Sequence, residues 1–306
     1  MTLFKMLKHN SRLALKGNWR RAVAVQLVFL SLVFLFSLFR EYVLSVFSPG
    51  AQPYMSEQNI ILLGVFSLSS LMLIIPFEMG LLYWFFSVVN GDSPAFSESF
   101  FFFERAKKYF KSIGLYVTIV ARSILWAVPF YILPTATTIL SYGLINKTYR
   151  IAANNDRVNS AIGSMLMVFS VFLFVLVTIL YAIYINRYAL AVYIYFGNMD
   201  LGIHSIIKTS VKYTNGERLN LFLFQLSFIG WCILSLLVIP AFYFLPYYYT
   251  SFSMYARYLT ERQIPAVQEP TQEFAPPVYS EEAEPNYTDT DEYNTVPKEN
   301  AGIAEE

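Results

Sequence analysis

Hydrophobic residues in this chain run in long blocks, and the charges gather in the short segments between them. The first block extends from Ala22 to Phe39 and, past Arg40-Glu41, to about Phe47. A second covers about Ile60–Val89, interrupted by Pro76 and containing Glu78. A third covers about Ser112–Leu133 with Arg122 inside it, and a fourth about Ala161–Ile185, with its helix expected to run on through Arg187 to Phe196. Each is long enough for a helix crossing a ~30 Å hydrocarbon core, which takes about 20 residues. The last block, Leu219–Leu259, would be about 60 Å long as one helix at 1.5 Å per residue, twice that thickness. Pro240 and Pro246 lie near its middle, so it reads as a hairpin of two spans, the second short and tyrosine-rich. The pattern predicts an all-α, polytopic helical membrane protein with six transmembrane helices, five being the alternative.

The polar segments have their own pattern. Residues 1–21 carry Lys5, Lys8, Arg12, Lys16, Arg20 and Arg21 between hydrophobes such as Leu3, Leu7 and Leu15, which predicts a basic amphipathic helix on the membrane surface. The first apolar run exceeds the 7–15 residues of a signal peptide and ends in bulky residues, so an uncleaved span is expected. Asn90-Gly91-Asp92-Ser93-Pro94 is a turn signal, and Phe100 to Phe103, Arg105, Lys107, Lys108 and Lys111 follow it. A second surface segment, Asp200–Arg218, bears His204, Lys208 and Lys212. Lys16, Arg20, Arg21, Arg105, Lys107, Lys108, Lys208 and Lys212 are candidates for contact with anionic lipid headgroups, where each base contributes about 1 kcal/mol. Plain anchoring by the positive-inside rule is the simpler reading of the same residues. With the N-terminus cytoplasmic, the inner segments hold sixteen Lys/Arg and the outer ones four, which sets the expected orientation.

Composition sharpens this. The chain is 56% hydrophobic and 14% charged, against about 25% charged for a soluble domain. A cytosolic enzyme and a disordered chain are excluded, and the net charge of +1 argues against nucleic acid. That charge hides an asymmetry: residues 1–260 carry a net +11, and residues 261–306 a net −10. The 261–306 stretch is rich in Pro, Glu, Thr and Asn and is expected to be a disordered, acidic cytoplasmic tail. Tyr279, Tyr287 and Tyr293 lie beside acids there and suit a cytoplasmic protein partner or a modifying enzyme, a solvated tail with no specific role being the simpler reading. The expected organisation is a basic segment (1–21), a transmembrane domain (22–260) and the tail, in the cytoplasmic membrane. A single cysteine, Cys232, permits no intramolecular disulfide and is expected to be a buried, inert thiol.

Short internal matches recur. Lys108-Tyr109 returns as Lys212-Tyr213, and Trp126 as Trp231; each marks a basic surface segment leading into a span. Leu15-Lys16 leads to Gln26-Leu27 much as Val211-Lys212 leads to Gln225-Leu226, a partial third copy. Membrane transporters are often built from such repeats. Four motifs also carry a family resemblance: Leu15-Lys16-Gly17-Asn18-Trp19, Pro76-Phe77-Glu78-Met79-Gly80-Leu81, Leu226-Ser227-Phe228-Ile229-Gly230-Trp231 and Pro246-Tyr247-Tyr248-Tyr249. In this order they resemble the bacterial integral membrane family catalogued as domain of unknown function 975. The polar insertion around 141–160 and the acidic tail depart from that pattern. The resemblance implies a polytopic cytoplasmic-membrane protein and brings no activity, cofactor or catalytic residue.

Charges inside a span are functional candidates. Glu78 and Arg122 each lie eleven residues from a span end, at Val89 and Lys111, or about 16 Å deep at 1.5 Å per residue. A Glu78–Arg122 ion pair at mid-membrane is therefore expected, as a lock between helices or as part of an ion relay. Arg187 reads as a boundary residue that snorkels. No zinc-protease, nucleotide-loop or nucleophile-elbow motif occurs; no metal or cofactor is expected. The expected function is a non-enzymatic, partner-binding or envelope-organising membrane protein. The alternative is a transporter or channel for an ion or small solute using Glu78 and Arg122.

Overall fold

A computed structural model describes residues 2–47, 57–150, 157–237 and 239–262. The acidic tail beyond Arg262 lies outside the described residues. Among the described residues, ten α-helices follow one another: α1 (Leu3–Leu15), α2 (Trp19–Phe47), α3 (Glu57–Val89), α4 (Ala106–Arg150), α5 (Arg157–Ile185), α6 (Ala191–Gly197), α7 (Ile203–Tyr213), α8 (Arg218–Leu226), α9 (Ile229–Leu234) and α10 (Ile239–Arg262). Short 3-10 segments occupy Phe96–Phe103, Asn186–Tyr188 and Ser235–Leu237. No strand occurs among the described residues. Among the described residues, five stretches are long and apolar enough to cross a membrane: Trp19–Phe47, Ile60–Val89, Ala106–Asn146, Ala161–Gly197 and Arg218–Leu237. The sixth expected span is α10, which falls short of that measure. The chain breaks at Ser235–Leu237, just ahead of Pro240, and α10 then folds back with Pro246 inside it.

Two boundaries differ from the sequence pattern. The third span does not stop near Pro134: α4 continues to Arg150 with Pro129 and Pro134 inside it. Prolines are tolerated in membrane helices where neighbours restore order. Here Thr137, Thr138 and Ser170 all direct hydroxyls to the Pro134 carbonyl, at 2.9, 2.8 and 3.2 Å, which ties α4 to α5. The fourth span does run on towards Phe196, but through the 3-10 break at Asn186–Tyr188.

Surface segments are anchored on protein. The apolar face of α1 packs on α10 rather than lying free for lipid: Leu7 and Leu15 are fully buried, and Ser11 bonds Ser251 at 2.7 Å. Lys8 lies 3.9 Å over the Phe228 ring and donates to the Ser227 carbonyl. This burial, together with the Arg12 guanidinium, holds the Lys8 ammonium below the usual lysine pKa. The Phe100–Phe103 run is likewise a clamp. Phe100 packs on Phe77 (4.9 Å), Phe101 stacks on Tyr83 (4.6 Å), and Phe102 is fully buried.

A cyclic order emerges from these contacts. Three units each consist of a surface element followed by two long helical passes: α1–α2–α3, then Phe96–Phe103 with α4 and α5–α6, then α7 with α8–α9 and α10. Each surface element packs on the last pass of the preceding unit: Phe96–Phe103 on α3, α7 on α6, and α1 on α10, which closes the cycle. The last passes, α3, α6 and α10, also pack on one another. Gly17 and Gly216, with φ of +85° and +82°, make matching turns from α1 into α2 and from α7 into α8. Such angles favour glycine because an L side chain would clash. Gln26 and Gln225 each follow nine residues later. The Lys-Tyr pairs do not correspond, because Lys108-Tyr109 begins α4 and Lys212-Tyr213 ends α7.

Candidate functional site: a cavity where the three units meet

Where α3, α6 and α10 converge, they leave a cavity of about 360 Å³. Its wall is mainly apolar and aromatic, with Tyr193 from α6 and Tyr248, Tyr249 and Phe252 from α10. Ring contacts join the three helices around it: Phe86–Tyr193 at 5.7 Å, Tyr193–Phe252 at 5.8 Å and Phe85–Tyr249 at 5.5 Å. Among the residues lining the cavity, Glu78 alone is an acid or a base. Asn186 and Gln225 add amide groups, and Gln225 donates to the Asn186 side-chain oxygen at 3.2 Å.

Matching positions of the repeat supply several of these residues. Glu78 and Leu82 lie two and six residues after Pro76; Tyr248 and Phe252 lie two and six after Pro246. Glu78 also precedes Asn90 by twelve residues, as Asn186 precedes Asn198. Glu78, Asn186 and Tyr248 all face the cavity. The sequence signal for Asn186 and Gln225 was present, as amides at the edge of or within apolar blocks, but unrelated in sequence until the fold joins them.

The expected Glu78–Arg122 ion pair is not formed among the described residues. Arg122 Nη2 instead lies 3.3 Å from His204 Nδ1 in α7. Counting from the span ends does not align the two helices: the Tyr109 hydroxyl, near the start of α4, donates to the Met72 carbonyl at 2.9 Å, so α4 begins beside a point of α3 six residues before Glu78. Arg122 reaches back along α4 to the surface helix, while Ile119, one turn earlier, lines the cavity with Glu78.

The candidate headgroup residues fall into groups. Lys16, Arg20, Arg21, Lys208 and Lys212 are exposed on the α1–α2 turn and on α7. Arg105, Lys107, Lys108 and Lys111 line a separate cavity of about 230 Å³ with Asp200. Its charges are partly balanced internally: Lys107–Asp200 at 3.7 Å, Lys108–Glu104 at 3.2 Å, and Lys111 donating to the Met199 carbonyl. Lys108 also lies 3.3 Å over the Phe101 ring. Cys232 is exposed rather than buried, because α9 lies at the periphery with its Trp231 and Ile233 neighbours also exposed. No group of three or more His, Cys, Asp or Glu suited to a metal ion occurs among the described residues.

A family model described as "Protein of unknown function (DUF975)" matches residues 1–263, so the chain belongs to that family. No match was found among curated proteins or among solved structures.

Proposed function

We propose that this member of the DUF975 family is a non-enzymatic protein of the cytoplasmic membrane that binds and moves an ion or small solute through the Glu78 cavity. One observation carries the reading: a carboxylate within an apolar span faces a cavity at the meeting point of three repeated units, with no ion-pair partner among the described residues. Repeat interfaces near the membrane midplane are where transporters place their sites. A carboxylate kept only as a lock between helices would be expected to pair, and Glu78 does not. The count of sixteen inner to four outer bases supports a cytoplasmic N-terminus. Glu78 is asked only to bind, with Asn186 and Gln225 as hydrogen-bonding groups and the tyrosines as wall.

Ion and proton flux into liposomes holding the purified protein, measured beside Glu78→Gln, tests this. Flux that disappears in a variant of unchanged melting temperature is the expected result. Absence of flux in both, with the variant only less heat-stable, would return Glu78 to a structural role and favour the partner-binding reading.

A further inference from the structure

Arg187 and Arg218 are set apart from the other bases. Arg187 lies in the 3-10 segment that ends α5, and Arg218 is the first residue of α8. Both guanidinium groups approach the same ring, Tyr184, at 4.9 and 6.0 Å. Arg187 also lies 5.6 Å from the Trp126 ring and 5.5 Å from the Tyr188 ring. Neither arginine has a carboxylate within ion-pair distance among the described residues, and the buried Nε–H of each has no acceptor. Arg187 donates one N–H to the Tyr184 hydroxyl.

Aromatic faces attract a cation but accept few of its hydrogen bonds. A guanidinium has five N–H donors in a planar fork, and withdrawing it from water is costly unless an anion takes those donors. The lysine-rich cavity near Asp200 has internal anions; this arginine pair has none among the described residues. Its position adds a second argument. Arg187 stands at the 3-10 break between α5 and α6 and Arg218 at the start of α8, and the surface helix α7 packs on that break through Ser210, whose hydroxyl donates to the Arg187 carbonyl at 2.9 Å, so the pair lies beside a basic surface segment.

We propose that Arg187 and Arg218 bind a phosphate group over Tyr184, carried by an anionic lipid headgroup or free in solution. Neither arginine lines the Glu78 cavity, although Arg187 sits between Asn186 and Tyr188 of its wall, and occupancy of the site does not depend on transport. Phosphate oxygens match the guanidinium fork and can take both orphaned Nε–H donors.

The test uses the full chain, purified in detergent and exposed to an equal mixture of phosphatidylglycerol and phosphatidylcholine. Native mass spectrometry then counts the retained lipids, and melting is followed with each lipid and with inorganic phosphate. The wild type is expected to retain phosphatidylglycerol about tenfold over phosphatidylcholine, a ratio equal to about 1.4 kcal/mol. R187Q/R218Q is expected to bring the ratio near unity, and K208Q/K212Q to leave it high. Stabilisation by inorganic phosphate alone, lost in R187Q/R218Q, would assign the phosphate to solution instead of lipid. If R187Q/R218Q does not fold, R187K/R218K keeps the charge without the fork and is expected to lose at least threefold in preference. The same preference in every folded variant would overturn the proposal. So would an arginine-dependent stability indifferent to lipid and phosphate, which would give the anion to the chain's own acidic residues beyond Arg262.

Discussion

Gly80 in α3 occupies a position with no room for a side chain. A Cβ placed there would lie 2.8 Å from the Ser99 carbonyl carbon and closer still to its oxygen. Those are backbone atoms, so no rotamer change relieves the clash. The Phe96–Phe103 segment is also held firmly: Trp84 Nε1 donates to the Ala95 carbonyl at 3.2 Å, and the Glu98 carboxylate accepts from the Ala95 N–H at 3.0 Å. Gly80→Ala must therefore lift the segment off α3. Overpacking costs about 1–3 kcal/mol, and losing the Trp84 bond adds about 1 kcal/mol. A total near 3 kcal/mol raises the detached population roughly a hundredfold, at about 1.4 kcal/mol per factor of ten. Trypsin cleavage at Arg105 and Lys107 in detergent reports that opening, because local exposure sets the rate. Gly64, in the same helix, has nothing within 4 Å of the place an added methyl would take and serves as the control. If Gly80→Ala is cleaved and melts like Gly64→Ala, the close-approach argument is wrong.

Two further perturbations act on α1. The Ser11 and Ser251 hydroxyls bond each other at 2.7 Å across α1 and α10, and Ser11 also reaches the Lys8 carbonyl. Ser11→Ala leaves the buried Ser251 hydroxyl without that partner, whereas Ser251→Ala leaves Ser11 its bond to the Lys8 carbonyl. Ser11→Ala is expected to cost about 1–3 kcal/mol and Ser251→Ala less, and the double change less than their sum; strictly additive melts would contradict the pairing. Lys8 supplies a pH prediction. Its folded pKa is lowered by burial first and Arg12 second, so the folded state binds the proton less well than the unfolded chain. The penalty is full below the folded pKa and is relieved as pH rises from there to the ordinary lysine value. Melting of the wild type relative to Lys8→Met should improve across that alkaline window, and a pH-independent difference would refute it.

The helical membrane class was readable because lipid demands long apolar blocks, and no local competition disguises them. Helix ends were less readable. Proline suggested a stop at Pro134, yet the α4–α5 contacts among Thr137, Thr138 and Ser170 hold one helix through it. The surface segments had the right charge pattern, but periodicity cannot say whether an apolar face meets lipid or another helix; α1 meets α10. Glu78 was recognisable as costly in its span, and its depth was estimated from the distance to the span end. Its partner was not, because a count from span ends does not fix how α3 and α4 are aligned: Tyr109 meets Met72, and Arg122 meets His204 in α7.

The cavity follows from the repeat rather than from any one motif. Three surface elements clasping the preceding unit bring α3, α6 and α10 together, and each unit contributes a residue at a corresponding position: Glu78, Asn186 and Tyr248. Had the junction served packing alone, three hydrophobes would fill it at no desolvation cost. Instead the units diverge there, with one acid, one amide and one phenol around an apolar space. A carboxylate facing an apolar cavity carries a desolvation cost, and no ion pair among the described residues offsets it. Corresponding positions of the three units thus place an acid, an amide and a phenol around the cavity, where a cation or proton bound as proposed would supply the missing stabilisation. That is why Glu78→Gln, which keeps the shape and removes the charge, separates a binding site from a fold element better than any truncation of the side chain.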